Sequence, residues 1–240
     1  MLLEVVKLTK QYHGTHGISG LNLTVSEGEV VALLGPNGAG KTTAMKAMMG
    51  MIPSDNGDSM YKGISILSSP ELTKNEIGMM IGEPSPYLYL TAYQYLKMHH
   101  NLYGEVTDKD IQEVLDLTGL SDRKNNRIKT FSTGMKQRIS LAKALLIKPK
   151  LILLDEPFSG MDIEGRSQMV HLLKKIIAEK NVGMIISSHL IHDIEQITSS
   201  VCIINDGKWL ETRPMHEIKA DFPTIEEYYL DLVSKRRNEK

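Results

Sequence analysis

A chain of 240 residues with 28 basic against 29 acidic side chains, and a formal net charge of −1, has the size of one α/β domain or of one core with a smaller lobe. This balance and a pI of about 6.7 supply no global field to hold nucleic acid, so no nucleic-acid partner is expected. The single cysteine, Cys202, cannot form an intrachain disulfide and lies in the apolar run VCII, which suits a reducing compartment and a core-filling role.

The opening MLLEVVKLTK carries an acid at Glu4 and no basic stretch ahead of an apolar core, so no secretory signal is expected. No apolar run approaches the roughly 18–20 residues of a membrane-spanning helix, and a soluble chain is expected. Strands are predicted at LLEVVKL, at LNLTV and at Val30–Leu34, the last too short and too β-branched at its start to favour a helix. A glycine-rich turn follows, then a helix from about Lys41 to Met49 that stops at Gly50, with Pro53 shortly beyond. Of the 14 methionines, Met45, Met48, Met49, Met51, Met79 and Met80 read as soft filling for irregular core gaps. The strand-like IGMMI leads into Glu83, and Pro84 and Pro86 forbid both a continuing ladder and an immediate helix.

From Thr91 to Lys148 the texture is helical. Thr91 and Gln94 form a capping box, Asp108 precedes Ile111, Val114 and Leu115, and MKQRISLAKALLIK is amphipathic. Strands return at LILL and VGMIIS, and Met169, Leu172, Leu173, Ile176 and Ile177 mark a helix between them, which implies a parallel crossover. VCIINDGKWLE reads as a hairpin turning at Asn205-Asp206-Gly207. Thr224 and Glu227 cap a last helix through IEEYYLDLVSKRR, and the tail SKRRNEK is expected as a frayed, solvated end.

Two segments carry chemistry. GPNGAGKT sets two glycines four residues apart ahead of a lysine and a hydroxyl, between a strand and a helix. In such a loop Gly35, Pro36, Asn37, Gly38, Ala39 and Gly40 turn backbone N–H groups around phosphate oxygens, and the helix start adds its positive dipole end. Lys41 reaches the β and γ phosphates, Thr42 ligates Mg²⁺ and Thr43 bonds the α phosphate. The second segment, LILLDEP, ends a buried strand in two carboxylates at the edge where open α/β sheets bind ligands. Asp155 is placed to hold Mg²⁺ through water, and Glu156 to polarise the attacking water.

FSTGMKQR, in which Ser132, Thr133, Gly134, Met135 and Lys136 open a helix ahead of LILLDEP, makes the chain resemble the ATP-binding subunits of ABC transporters over nearly its whole length. The resemblance implies that Ser132 and Gly134 contact the γ phosphate held by another subunit, again through a helix start that donates to an anion. Tyr12 in LTKQYHG looks like the platform on which adenine stacks, and Asp162 in FSGMD resembles the D-loop acid that joins two halves of a dimer. His189 in SSHL looks like the switch histidine that bonds the γ phosphate. His192 and the pairs His13/His16 and His99/His100 make no convincing metal-ligand set. Glu83 stands where most of the family carries a glutamine. That substitution, with FSTGMKQR and EPSPYLYLTAYQYL, resembles the bacitracin-export and lantibiotic self-protection ATPases of bacteria, and Glu83 is expected to act through Mg²⁺.

The resemblance implies an α/β fold: a P-loop NTPase core with a mixed sheet, an N-terminal antiparallel β subdomain and an inserted helical subdomain. Residues 1–240 form one ATPase domain, with 1–90 and 149–240 as the nucleotide-binding lobe and 91–148 as the helical lobe. Two copies, most simply a homodimer, sandwich ATP and Mg²⁺ at the cytoplasmic side of the cell membrane and drive a separate integral permease that handles a peptide substrate. The alternative is a soluble ATPase of the same type acting on a non-membrane assembly or on nucleic acid. Neither a coiled-coil insertion nor a cysteine-rich zinc module is present to mark it. A GTPase is disfavoured because no Asn-Lys-x-Asp segment occurs.

Overall fold

The computed structural model describes residues 1–12, 17–72, 76–82, 86–103, 106–189 and 191–238. Strands β1 (Leu3–Gln11) and β2 (Gly17–Val25) pair antiparallel and bury Leu3, Val5, Leu8, Leu21, Leu23 and Val25. Leu8 breaks the period of two after Val5, and a register shift between them turns it inward, as a bulge does. Both strands outrun the apolar patterns LLEVVKL and LNLTV, because pairing continues through polar positions to Lys10↔Ile18 and Gln11↔Gly17.

The wholly buried β3 (Val30–Leu34) leads into α1 (Lys41–Met48). This helix ends as the sequence predicts: Gly50 has φ 63°, its N–H donates to Ala47 O at 3.1 Å, and Met51 N donates to Lys46 O at 2.9 Å. β4 (Asn56–Tyr61), β5 (Ile64–Ser65) and β6 (Ile77–Met80) follow. The helices α2 (Ala92–Tyr103), α3 (Asp108–Leu117) and α4 (Thr133–Leu145) come next. β7 (Leu151–Asp155), α5 (Ile163–Lys180), β8 (Gly183–Ser188), α6 (Ile191–Ile194), β9 (Ser200–Asn205) and β10 (Lys208–Pro214) complete the sheet, and α7 (Met215–Asp221) and α8 (Ile225–Asn238) close the described chain.

The strand order is β5-β4-β1-β2-β10-β9-β3-β8-β7-β6. β9, β3, β8, β7 and β6 run parallel, while β10 returns antiparallel to β9 and meets β2 at Lys208↔Ser19. Alternation along the parallel strands divides the core in two. Ala32, Leu34, Ile152, Leu154, Met184 and Ile186 face the helical side, whereas Val31, Leu33, Leu153, Ile185 and Ile204 pack with α1 and the antiparallel strands. Cys202 joins the second group, and burial pushes its thiol up to about 12, so it is inert filling. Met45, Met48, Met49 and Met80 are core residues and Met79 packs against the core, but Met51 is 54% exposed. The Schellman turn at Gly50 carries it out of the helix, contrary to its expected core place. Among the described residues no helix is long and apolar enough to cross a membrane.

The helix caps show where local chemistry decides. Thr91 and Gln94 form the predicted box, Gln94 N donating to Thr91 Oγ1 at 3.1 Å and Thr91 N to Gln94 Oε1 at 3.0 Å. α3 is capped by Thr107, and Asp110 one turn on accepts from Thr107 N at 2.7 Å. The hairpin turns at Asp206 and Gly207, both at positive φ, as a type I′ turn requires. α8 continues through SKRR to Asn238, and Glu239 and Lys240, the end of the tail expected to fray, lie outside the described residues.

His99 on α2 stacks edge-on to Tyr95 at 4.9 Å, and among the described residues neither of its buried ring nitrogens has a bonding partner. Burial, aided by the Lys143 ammonium, pushes the imidazole down from 6.5 to about 4. The unfolded chain therefore takes a proton that the folded chain refuses. Stability is fully present above about pH 6.5 and drains away as pH falls toward about 4. His99→Phe keeps a ring on Tyr95 and removes the titration, so its urea midpoint falls less than that of the wild type between pH 7.5 and pH 5. Equal falls in the two proteins would remove His99 as the cause.

Candidate nucleotide site

The loop Gly35–Gly40 joins the end of β3 to the start of α1 and leaves no room for side chains at two positions. A Cβ on Gly35 would lie 2.1 Å from Ile204 O, and one on Gly40 would lie 2.2 Å from Gly17 O, with Gly40 also at φ 101°. Gly38, at φ 81°, makes the other left-handed turn. Gly40 offers no side-chain cap, so the first N–H groups of α1 stay available to an outside acceptor. They border a cavity of about 320 Å³ lined by Gly17, Asn37 through Thr43, and Glu156.

Lys41 is 6% exposed and donates from Nζ to Gly35 O at 2.7 Å and Pro36 O at 3.2 Å, while Glu156 Oε1 stands 3.2 Å away. Thr42 Oγ1 donates to Asp155 Oδ2 at 2.7 Å, and Ser187 Oγ donates to Asp155 Oδ1 at 2.5 Å. Ser187 also accepts Glu156 N at 2.9 Å. Those contacts hold Glu156 at φ 48°, a left-handed conformation uncommon outside glycine and of the kind that strained functional sites retain. Glu156 Oε2 then meets His189 Nδ1 at 2.8 Å. Lys41, Thr42, Asp155, Glu156 and His189, chosen from three separate sequence segments, thus form one bonded network at the C-terminal ends of β3, β7 and β8.

The remaining predicted residues lie elsewhere. Ser132 caps α4, its hydroxyl accepting Met135 N at 3.3 Å, and Asp162 caps α5, accepting Gly165 N at 2.8 Å. With Gly134 they line a second cavity of about 400 Å³. Gln137 Nε2 reaches Ser159 O at 3.4 Å and ties the two helix starts together. Tyr12 is 46% exposed just past β1, with the Lys10 ammonium 5.5 Å from its ring centre, and it is not among the residues that line the cavity at the start of α1. Glu83, His13 and His16 lie outside the described residues. Gly82, next to Glu83, donates its N–H to Asp155 Oδ2 at 3.2 Å. Sequence reasoning passed over Gly17 and Ser187. The signal for Ser187 was available as a polar pair, Ser187-Ser188, ending the apolar run of a buried strand.

A glycine loop at a helix start, faced by a strand-end acid pair, defines the class of P-loop NTPases. The ABC transporter family matches residues 18–159, more than half of the chain. The chain is 36% identical, over 92% of its length and 72% of the relative's, to YhcH of Bacillus subtilis (strain 168), an uncharacterized ABC transporter ATP-binding protein. It is 35% identical, over 91% of its length and 71% of the relative's, to the bacitracin transport ATP-binding protein BcrA of Bacillus licheniformis. A solved ATP-binding subunit of an ABC transporter matches with a TM-score of 0.84 at 27% identity, over 97% of this chain and all of that one. The chain belongs to the ABC transporter family, as an ATP-binding and ATP-hydrolysing subunit.

Proposed function

We propose that this chain powers a separate integral membrane permease that exports a peptide antibiotic of the bacitracin or lantibiotic type. The hydrolytic part rests on the network from Thr42 through Asp155 and Ser187 to Glu156 and His189, which gathers a hydroxyl, two carboxylates and an imidazole beside the cavity at the start of α1. The substrate class is supported by the likeness to the bacitracin transport protein.

Thr42 Oγ1 and Asp155 Oδ2, 2.7 Å apart, are the hard oxygen donors that Mg²⁺ prefers. Thr42 would hold the ion directly and Asp155 through water, and the ion would neutralise phosphate charge. Lys41 and the N–H groups of Gly38–Thr42 bind the phosphates, with Thr43 nearest the α phosphate. Glu156 takes the proton of the attacking water, and His189 orients Glu156 and reaches the γ phosphate. Tyr12 stacks on adenine. Glu83 would help to hold the same ion and carries motion to the permease, with residues 91–148 moving as a lobe against 1–90 and 149–240. The subunit sits on the cytoplasmic face of the membrane as one half of a homodimer.

Mild detergent extraction of native cells tests this reading. The tagged chain is expected to bring down an integral permease, and its loss or a Glu83→Ala change is expected to sensitise cells to the exported peptide. Recovery with ribosomes, DNA or a soluble complex, and unchanged resistance, would overturn it.

A further inference from the structure

α6 has only four residues, too few to hold a fixed place by its own hydrogen bonds, yet it follows closely on His189. Polar contacts brace it from α5. Arg166 Nη1 donates to Asp193 Oδ2 at 3.1 Å, and Lys174 Nζ donates to Gln196 Oε1 at 2.9 Å just past the helix. A third contact, Lys219 to Glu195 at 3.7 Å, comes from α7. Arg166 differs from the other two cations in its place and its surroundings. It stands one turn inside α5, its own N–H bonded to Asp162 O at 3.0 Å, and its side chain is 27% exposed against 21% for Asp193. Among the described residues its Nε is buried with no hydrogen-bond partner, and the Asp193 carboxylate sets an opposite charge against its guanidinium.

We propose that Arg166 and Asp193 are a positioning pair for ATP hydrolysis, which sets His189 against Glu156 according to where the Asp162 end of α5 sits. This inference rests on the roles given above to Glu156 and His189. The route is short. Asp162 begins α5 beside Ser132 and Gly134, Arg166 follows one turn later, Asp193 holds α6, and His189 meets Glu156 at 2.8 Å. A displacement of the α5 start therefore reaches the general base through one ion pair.

A brace that merely stabilises the fold would weaken the protein without acting through His189, and kinetics separate the two. ATP turnover is measured on the full chain for Arg166→Gln, Asp193→Asn, Arg166→Lys and His189→Ala, and for Asp193→Asn and Arg166→Gln each combined with His189→Ala. The pair predicts that Arg166→Gln and Asp193→Asn each lower kcat by about tenfold with KM for ATP within about twofold, and that Arg166→Lys recovers part of the loss. In the His189→Ala background Asp193→Asn is expected to cost less than about twofold more, because the residue it positions is gone. The same tenfold cost in both backgrounds, or single variants within about twofold of wild type, overturns the proposal. Should Asp193→Asn fail to fold, Arg166→Gln with and without His189→Ala decides by the same criterion. If His189→Ala alone leaves kcat intact, the role of His189 fails and the positioning pair fails with it. Loss in His189→Ala beside intact pair variants sinks the pair alone.

Discussion

Glu156→Gln lowers ATP turnover by roughly 10²- to 10⁴-fold, the usual contribution of a general base, while nucleotide binding persists. The amide keeps the shape of the carboxylate and can still bond His189 Nδ1, now 2.8 Å from Oε2. The backbone bonds to Ser187 that hold φ at 48° are untouched, so the loop keeps its geometry. Lys41 loses the anion 3.2 Å away but retains the carbonyls of Gly35 and Pro36, so its buried ammonium is not left without acceptors. What disappears is the ability to accept a proton from water. Binding without hydrolysis should trap ATP between two subunits, so sedimentation with ATP-Mg²⁺ is expected to show a dimer that the wild type passes through. Near-normal steady-state turnover would remove Glu156 from the mechanism.

The parts of this site that were legible in the sequence are those whose chemistry is contiguous. Gly35–Thr42 and Asp155-Glu156 each announce themselves through spacing at a strand end, since a phosphate loop and an acid pair must be built within a few residues. Ser132 was readable as the opening of a helix, whereas Asp162 was singled out only for its likeness to the D-loop acid, and its place as the cap of α5 is a finding of the structure. Contacts between distant segments were not legible. Ser187 bonds both members of the acid pair from 32 and 31 positions away, and Arg166 meets Asp193 across 27. Each is set by the parallel pairing of β7 with β8 and the crossover of α5, and no local pattern encodes it. The same applies to β10, which enters the sheet between β9 and β2 although the sequence shows only its hairpin with β9. Local rules also missed by small offsets. The reciprocal Thr107–Asp110 box that starts α3 went unread, because only Asp108 was noted ahead of the apolar positions. Met51 lay one residue beyond a left-handed glycine that redirects the chain.

Ser132→Arg and Lys41→Ala are each expected to abolish hydrolysis, and a mixture of the two proteins to recover part of it. Among the described residues, the cavity at Ser132 and the cavity at Lys41 share no lining residue, so within one chain they are separate. Ser132 caps an exposed helix start of 13 residues whose N–H groups, like those of α1, favour an anion. An arginine there fills the cavity and removes the hydroxyl acceptor that now holds Met135 N at 3.3 Å. Lys41→Ala removes the buried ammonium beside the other cavity. If each site draws Lys41 from one subunit and Ser132 from its partner, a heterodimer of the two variants rebuilds one sound site and one doubly damaged site. Equal mixing makes half of the dimers heterodimers, so activity should return to about a quarter of wild type where one sound site turns over independently. A cis arrangement, with Ser132 serving the phosphate held by its own chain, gives no recovery at any mixing ratio. Full activity in Ser132→Arg alone would take the α4 start out of the site altogether.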